Sequence, residues 1–339
     1  MFRKFSRRVA GLFLMAALSG GVASAAQVYG AELEGFAYPH PVARFRFTSQ
    51  GVPMQMAYMD VAAKGQPNGR TLVLMHGKNF CGATWESTIT AMSEAGFRVV
   101  VPDQIGFCAS TKPTHYQYSF QQLAHNTAAL LKQIGVTRAS FLGHSTGGMV
   151  ATRYALMYPA AVEQLVMVNP IGLEDWKSLG VPGRTVDQWY ERELKLSADG
   201  VRQYEKAVYY VGRWKPEYER WVDMLAGLNQ GPGHELVAWN SALIYDMIFT
   251  QPVVHEFALL QVPTTLILGD KDTTAIGSDI APPEVKARIG RYDQLGQQAM
   301  KLIPKGQLIE LKGLGHAPQI EEPAIFHKAL LGALTGAKD

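Results

Sequence analysis

Ser145 lies in the pentapeptide Gly143-His144-Ser145-Thr146-Gly147, between the apolar run 139–142 and a helix-forming stretch at 149–157. A serine hydroxyl is a weak nucleophile at neutral pH, so acyl transfer needs a base within hydrogen-bond reach and a carboxylate to orient that base. Small residues two before and two after the serine let a strand turn abruptly into a helix, which holds the hydroxyl out at the carboxyl edge of a sheet. Both partners are present downstream. A buried-strand pattern at 264–269 ends in Asp270-Lys271-Asp272-Thr273-Thr274, and an apolar strand at 307–311 runs into Lys312-Gly313-Leu314-Gly315-His316-Ala317-Pro318. Of nine histidines, only His316 follows a late strand in a glycine-flanked loop. A nucleophile, an acid (Asp270 or Asp272) and an imidazole thus fall in that order at one edge of one sheet.

The elements that would position them are strand-like segments at 42–48, 54–61, 71–75, 98–102, 139–142, 164–169, 264–269 and 307–311. After the first two they alternate with helical stretches, the signature of a mostly parallel sheet covered on both faces. Between 169 and 264 the alternation stops. Helical runs at 186–196, 200–211, 217–228 and 234–248 read as a cap inserted after the sixth strand, and they come with Trp176, Trp189, Trp214, Trp221 and Trp239. Some of these rings must pack the cap; others would line a pocket suited to a bulky apolar or aromatic small-molecule substrate. Glu191, Glu193 and Glu205 read as ordinary solvated helix charges.

This arrangement resembles the α/β-hydrolase superfamily over residues 42–334. His76-Gly77-Lys78-Asn79-Phe80, after the third strand, is similar to the family's oxyanion loop. Pro102-Asp103-Gln104-Ile105-Gly106-Phe107-Cys108-Ala109-Ser110 is similar to its D-x-x-G-x-G-x-S loop, with Cys108 where glycine is usual. The resemblance implies an α/β fold, an eight-stranded, mostly parallel sheet with helices on both faces and an inserted helical cap. It implies Ser145 as nucleophile, His316 as base and Asp272, the last residue of G-x-x-D, as orienting acid. His76 and His144 would pack the two loops, and Asp103 would organise its own. The oxyanion donors would be the backbone N–H of Thr146 and one from Lys78, with Asn79 as second choice.

The implied chemistry is hydrolysis of a carboxylic ester through an acyl-enzyme, with C–C bond hydrolysis or lactone opening as alternatives within the superfamily. Serine at the elbow argues against epoxide hydrolases and haloalkane dehalogenases, whose elbow residue is aspartate. From a different class, a binding module without turnover would have no reason to keep Ser145, Asp272 and His316 together. No cofactor or metal is implied, and no obligate protein partner is evident.

Residues 1–25 carry Arg3, Lys4, Arg7 and Arg8, an apolar stretch at 9–18 and the small residues Val22-Ala23-Ser24-Ala25, the pattern of a secretory signal peptide cleaved after Ala25. The expected division is signal 1–25, core 26–172, cap 173–255 and core 256–339, in a periplasmic or secreted protein. The formal charge of +3 comes from the signal's basic residues, so the mature chain is near neutral and lacks the basic clusters of nucleic-acid binding. No later stretch approaches the ~20 apolar residues of a membrane span. The two cysteines, Cys81 and Cys108, fall near the same sheet edge, where an oxidising compartment would allow a disulfide; the other reading is two buried thiols acting as small hydrophobes.

Overall fold

Strand residues alternate between two cores. In β3 (Thr71–Met75) Leu72 and Leu74 belong to one hydrophobic cluster while Val73 and Met75 belong to the other, and β4 (Arg98–Pro102) repeats this with Val99 and Val101 against Val100. A strand apolar on both sides is stable only with layers on both faces of its sheet. The computed structural model, which describes Met1 and residues 27–336, has that architecture. The predicted signal peptide lies almost wholly outside the described residues.

The remaining strands are β1 (Ala43–Ser49), β2 (Val52–Val61), β5 (Ala139–His144), β6 (Val162–Val168), β7 (Thr264–Gly269) and β8 (Gly306–Leu311). They form one eight-stranded sheet in the order β1-β2-β4-β3-β5-β6-β7-β8, antiparallel at β1/β2 and β2/β4 and parallel elsewhere. This is the expected α/β-hydrolase sheet. The β1–β2 hairpin closes through Gln50 and Gly51, both at positive φ (53° and 77°), as a two-residue turn between right-twisted strands requires.

On one face of the sheet lies α1 (Glu86–Glu94), which contributes Ile89 and Met92 to the smaller core. The larger core, on the other face, receives α2 (Phe120–Gln133) and α3 (Thr146–Met157) through Leu123, Leu130, Met149 and Val150. Ser119 starts α2 by accepting a hydrogen bond from Gln122 N–H (3.0 Å), which satisfies one of the orphan donors of the first turn.

Between β6 and β7 come four helices, α4 (Val186–Glu193), α5 (Ala198–Tyr204), α6 (Glu219–Gln230) and α7 (His234–Thr250). Thr185 and Gln188 form a capping box at the start of α4. The long second run expected at 200–211 stops as an α-helix at Tyr204 and continues as a single π-turn, Glu205–Tyr209. Trp176, Trp189 and Trp221 are buried, so much of the aromatic content packs this insert. The chain finishes with α8 (Pro283–Lys286), α9 (Tyr292–Met300), α10 (Pro318–Glu321) and α11 (Pro323–Thr335). Phe326, Leu330 and Leu334 of α11 join α1 in the smaller core. Among the described residues no helix is long and apolar enough to cross a membrane.

Candidate active site

Ser145 sits between the end of β5 and the start of α3 with φ 54° and ψ −121°. A non-glycine residue there is strained, and the surroundings must hold it. They do so through the backbone: Ser145 N–H donates to the Val168 carbonyl (3.2 Å), while its own carbonyl accepts from Gly148 N–H (2.9 Å). The two glycines of the pentapeptide are explained by contact. A Cβ on Gly143 would come within 2.3 Å of the Gly147 carbonyl oxygen, and one on Gly147 within 2.2 Å of the Met75 oxygen. Ser145 itself is 6 % exposed.

His316 follows β8 and Asp272 follows β7, and the structure joins them: His316 Nδ1 lies 2.6 Å from Asp272 Oδ2. The carboxylate can only accept, so the proton resides on Nδ1. The other carboxylate contacts come from Asn169 Nδ2 (2.9 Å, to Oδ2), Thr274 N–H (2.8 Å) and Thr274 Oγ1 (2.7 Å), both to Oδ1. This leaves His316 Nε2 as the basic nitrogen, buried and without a hydrogen-bond partner. No hydrogen bond joins it to Ser145 Oγ. Asp270 instead accepts from Gly313 N–H (2.7 Å), so it ties β7 to the turn before the histidine.

Two other histidines act as struts. His144 donates from Nε2 to the His316 carbonyl (2.8 Å), a bond that brings the residue before Ser145 against the histidine loop. Burial, and then the neighbouring His316 ring, hold the His144 pKa well below its ordinary value, so it stays neutral. His76 donates from Nδ1 to the Gly77 carbonyl (2.8 Å) and accepts Gln104 N–H at Nε2 (3.1 Å), with its pKa lowered chiefly by burial. Asp103 organises its loop by accepting from Gly82 N–H (2.7 Å) and Ala109 N–H (3.1 Å).

Thr146 is the first residue of α3, where the leading N–H groups lack intrahelical partners and the helix dipole favours negative charge. A Cβ on Gly77 would lie 3.0 Å from Ser145 Cβ, so the loop carrying Lys78 and Asn79 passes against the serine. The side chains of those two residues turn to the insert. Lys78 Nζ pairs with Glu193 Oε2 (2.7 Å) and sits 3.8 Å from the centre of the Tyr245 ring. Asn79 Nδ2 donates to Tyr209 Oη (3.0 Å). Tyr209 in turn packs tilted against His316, ring centroids 4.8 Å apart, and the carbonyls of Val208 and Tyr209 accept the N–H groups of His316 (3.3 Å) and Ala317 (3.5 Å). The π-turn therefore braces the histidine loop and the loop after β3 together.

Two carboxylates expected in solvent are instead buried. Glu193 is 2 % exposed and Glu205 is 0 % exposed, so neither is a solvated helix charge. Burial raises the Glu193 pKa, but Lys78, Ser241 and Arg192 outweigh it and hold the group below the ordinary value. Glu205 has no such help: both oxygens lack a partner, and burial, then the charge of Glu219, push its pKa up to about 8. Sequence could not reveal the pairing of Glu193, because Lys78 and Ser241, which meet its Oε2, come from segments distant in the chain.

Cys81 and Cys108 form a disulfide with Cα atoms 5.8 Å apart, linking the segment after Asn79 to the loop of Asp103. Cys108 has φ 43°, which explains why glycine is usual there: the turn needs a left-handed residue. The one group of potential metal ligands among the described residues is Cys81, Asp103 and Cys108, and its two sulfurs are already joined.

The family model described as the alpha/beta hydrolase fold matches residues 70–210. The crystal structure of a probable hydrolytic enzyme from Pseudomonas aeruginosa PAO1 is 62% identical, with a TM-score of 0.91, and the match covers 91% of this chain and 99% of that one. RutD of Stutzerimonas stutzeri, a protein named as a carbamate hydrolase, is 31% identical over 285 residues, 82% of this chain and 96% of that protein. Lipase 1 of Psychrobacter immobilis is 28% identical over 287 residues, 81% of each chain.

Proposed function

The chain belongs to the α/β-hydrolase superfamily, and on that premise we propose that it hydrolyses carboxylic esters through an acyl-enzyme on Ser145. The observation that carries this reading is the buried Asp272–His316 pair, which fixes the imidazole with its proton on Nδ1 and its lone pair on Nε2. His316 Nε2 takes the Ser145 proton as Oγ attacks the carbonyl carbon, and Asp272 stabilises the imidazolium. The Ser145–His316 bond is open in the structure; such bonds often tighten only in the substrate complex. The oxyanion is received by the N–H of Thr146 and one from Lys78 or Asn79, each donor worth ~2.7 to 4 kcal/mol in the transition state. Imidazolium then protonates the leaving alcohol, and water, deprotonated by His316, hydrolyses the acyl-enzyme.

We place the mature enzyme, from Ala26 onward, in the periplasm or outside the cell, a reading favoured by the basic-apolar-small leader and by the Cys81–Cys108 disulfide. The experiment is hydrolysis of p-nitrophenyl esters from acetate to decanoate, with an aryl carbamate added because one relative is named for carbamate hydrolysis. Ester turnover lost in Ser145→Ala, His316→Ala and Asp272→Asn is the expected result. Turnover of the carbamate alone would move the substrate class, and undiminished turnover in Ser145→Ala would sink the mechanism.

A further inference from the structure

A cavity of about 230 Å³ lies among the cap helices beside the loop after β3. Two lining residues adjoin the elements of the candidate site. Asn79 belongs to that loop, and Tyr204 packs 5.4 Å (ring centroids) from Tyr209, the ring that covers His316. Arg192 and Lys195 line the same space.

The charges there do not balance. Glu193 is the one carboxylate in the lining, and its Oε2 is occupied by Lys78 (2.7 Å) and Ser241 (2.6 Å) while Oε1 takes Arg192 Nη1 (3.0 Å). Lys78, Arg184, Arg192 and Lys195 therefore share two anions, Glu193 and Asp279, and Lys195 has no ion pair among the described residues. Asp279 is bonded to Arg184 (2.6 Å) and attracts Arg192 only at longer range, and Asp272 is committed to His316. Arg192 is also held in place: its guanidinium lies 5.1 Å from the Tyr245 ring and 5.7 Å from the Trp189 ring. Because Lys78 occupies Glu193 from the core side, Glu193 cannot fully neutralise Arg192. An oriented guanidinium with surplus charge matches the two oxygens of a carboxylate.

We propose that this cavity receives an anionic end of the substrate, a carboxylate on the acyl chain remote from the scissile carbonyl, bound by Arg192 with Lys195 at the mouth. The inference rests on the ester-hydrolase reading and deepens it, replacing a wholly apolar substrate with a short chain that ends in a charge. A cationic mouth also raises the encounter rate of an anionic substrate, an effect that salt weakens.

The test compares monoethyl glutarate with ethyl pentanoate, which share the scissile bond and chain length and differ in the terminal carboxylate. Both are followed by proton release in wild type, Arg192→Gln, Arg192→Lys and Lys195→Gln, with fluorophosphonate labelling of Ser145 measured in each. The expected result is a wild-type kcat/KM ratio favouring the hemiester, reduced by added salt, reduced about tenfold in Arg192→Gln, partly restored in Arg192→Lys and reduced less in Lys195→Gln. Lys195 is exposed, so its variant keeps the test valid if Arg192→Gln misfolds. Labelling and ethyl pentanoate turnover with a ratio unchanged in both the Arg192→Gln and Lys195→Gln variants would overturn this inference alone. Failure to label, with neither ester cleaved, would overturn the ester reading and the inference with it.

Discussion

Replacing Glu205 with glutamine should make the protein's stability less sensitive to pH. The carboxyl is buried, neither oxygen has a hydrogen-bond partner, and its pKa stands at about 8 against an ordinary 4.5. Below pH 4.5 the native and unfolded chains both carry the proton. Between 4.5 and about 8 the unfolded chain loses a proton that the native chain keeps, so stability falls as pH rises; above about 8 both are ionised and the loss levels off. At ~1.4 kcal/mol per pH unit the full effect is on the order of 5 kcal/mol. Glutamine has no proton to release, so Glu205→Gln should gain on wild type steadily across this window, whatever their offset at low pH. Urea unfolding of both proteins from about pH 5 to about pH 8.5 gives the difference directly. Parallel stability curves for variant and wild type would refute the reasoning. The position is functionally placed as well, since Glu205 opens the π-turn whose Val208 and Tyr209 carbonyls hold His316 and Ala317.

Three further outcomes are expected. Cys81→Ser with Cys108→Ser removes a cross-link over 27 residues and should cost roughly 3.5 kcal/mol in urea unfolding by the chain-entropy relation. Lys78→Met removes one of the two cations on the buried Glu193 carboxylate, leaving Arg192 and Ser241 in contact with it, and should destabilise by about 1 to 3 kcal/mol, with Glu193→Gln in the same background recovering part of the loss. Asn169→Ala deletes one donor to Asp272 and should lower kcat about tenfold while changing KM little; an unchanged kcat would remove Asn169 from the positioning of the acid.

The sheet was legible because each strand carries its own signal. The segments 71–75, 98–102 and 264–269 match β3, β4 and β7 to the residue, since their apolar runs end in turn-forming residues. The serine elbow and the histidine loop were legible for the same reason, as short motifs tied to strand ends. Choosing Asp272 over Asp270 needed the family pattern; the structure separates them by the groups they meet, the His316 imidazole and the backbone Gly313 N–H. What stayed hidden depends on contacts across the chain. Glu193 and Glu205 look solvated because helix periodicity says which face a residue occupies, not what covers that face, and Lys78 reaches Glu193 across 115 positions. The π-turn was equally silent, because its extra residue matters only through its contact with the His316 loop.

The central claim is that Ser145 is an activated nucleophile. Fluorophosphonate labelling of the mature protein, read by intact mass and peptide mapping, tests it most directly. One adduct is expected, on Ser145, abolished in Ser145→Ala and strongly slowed in His316→Ala. A wild-type protein that remains unlabelled, or that labels at another residue, would contradict it.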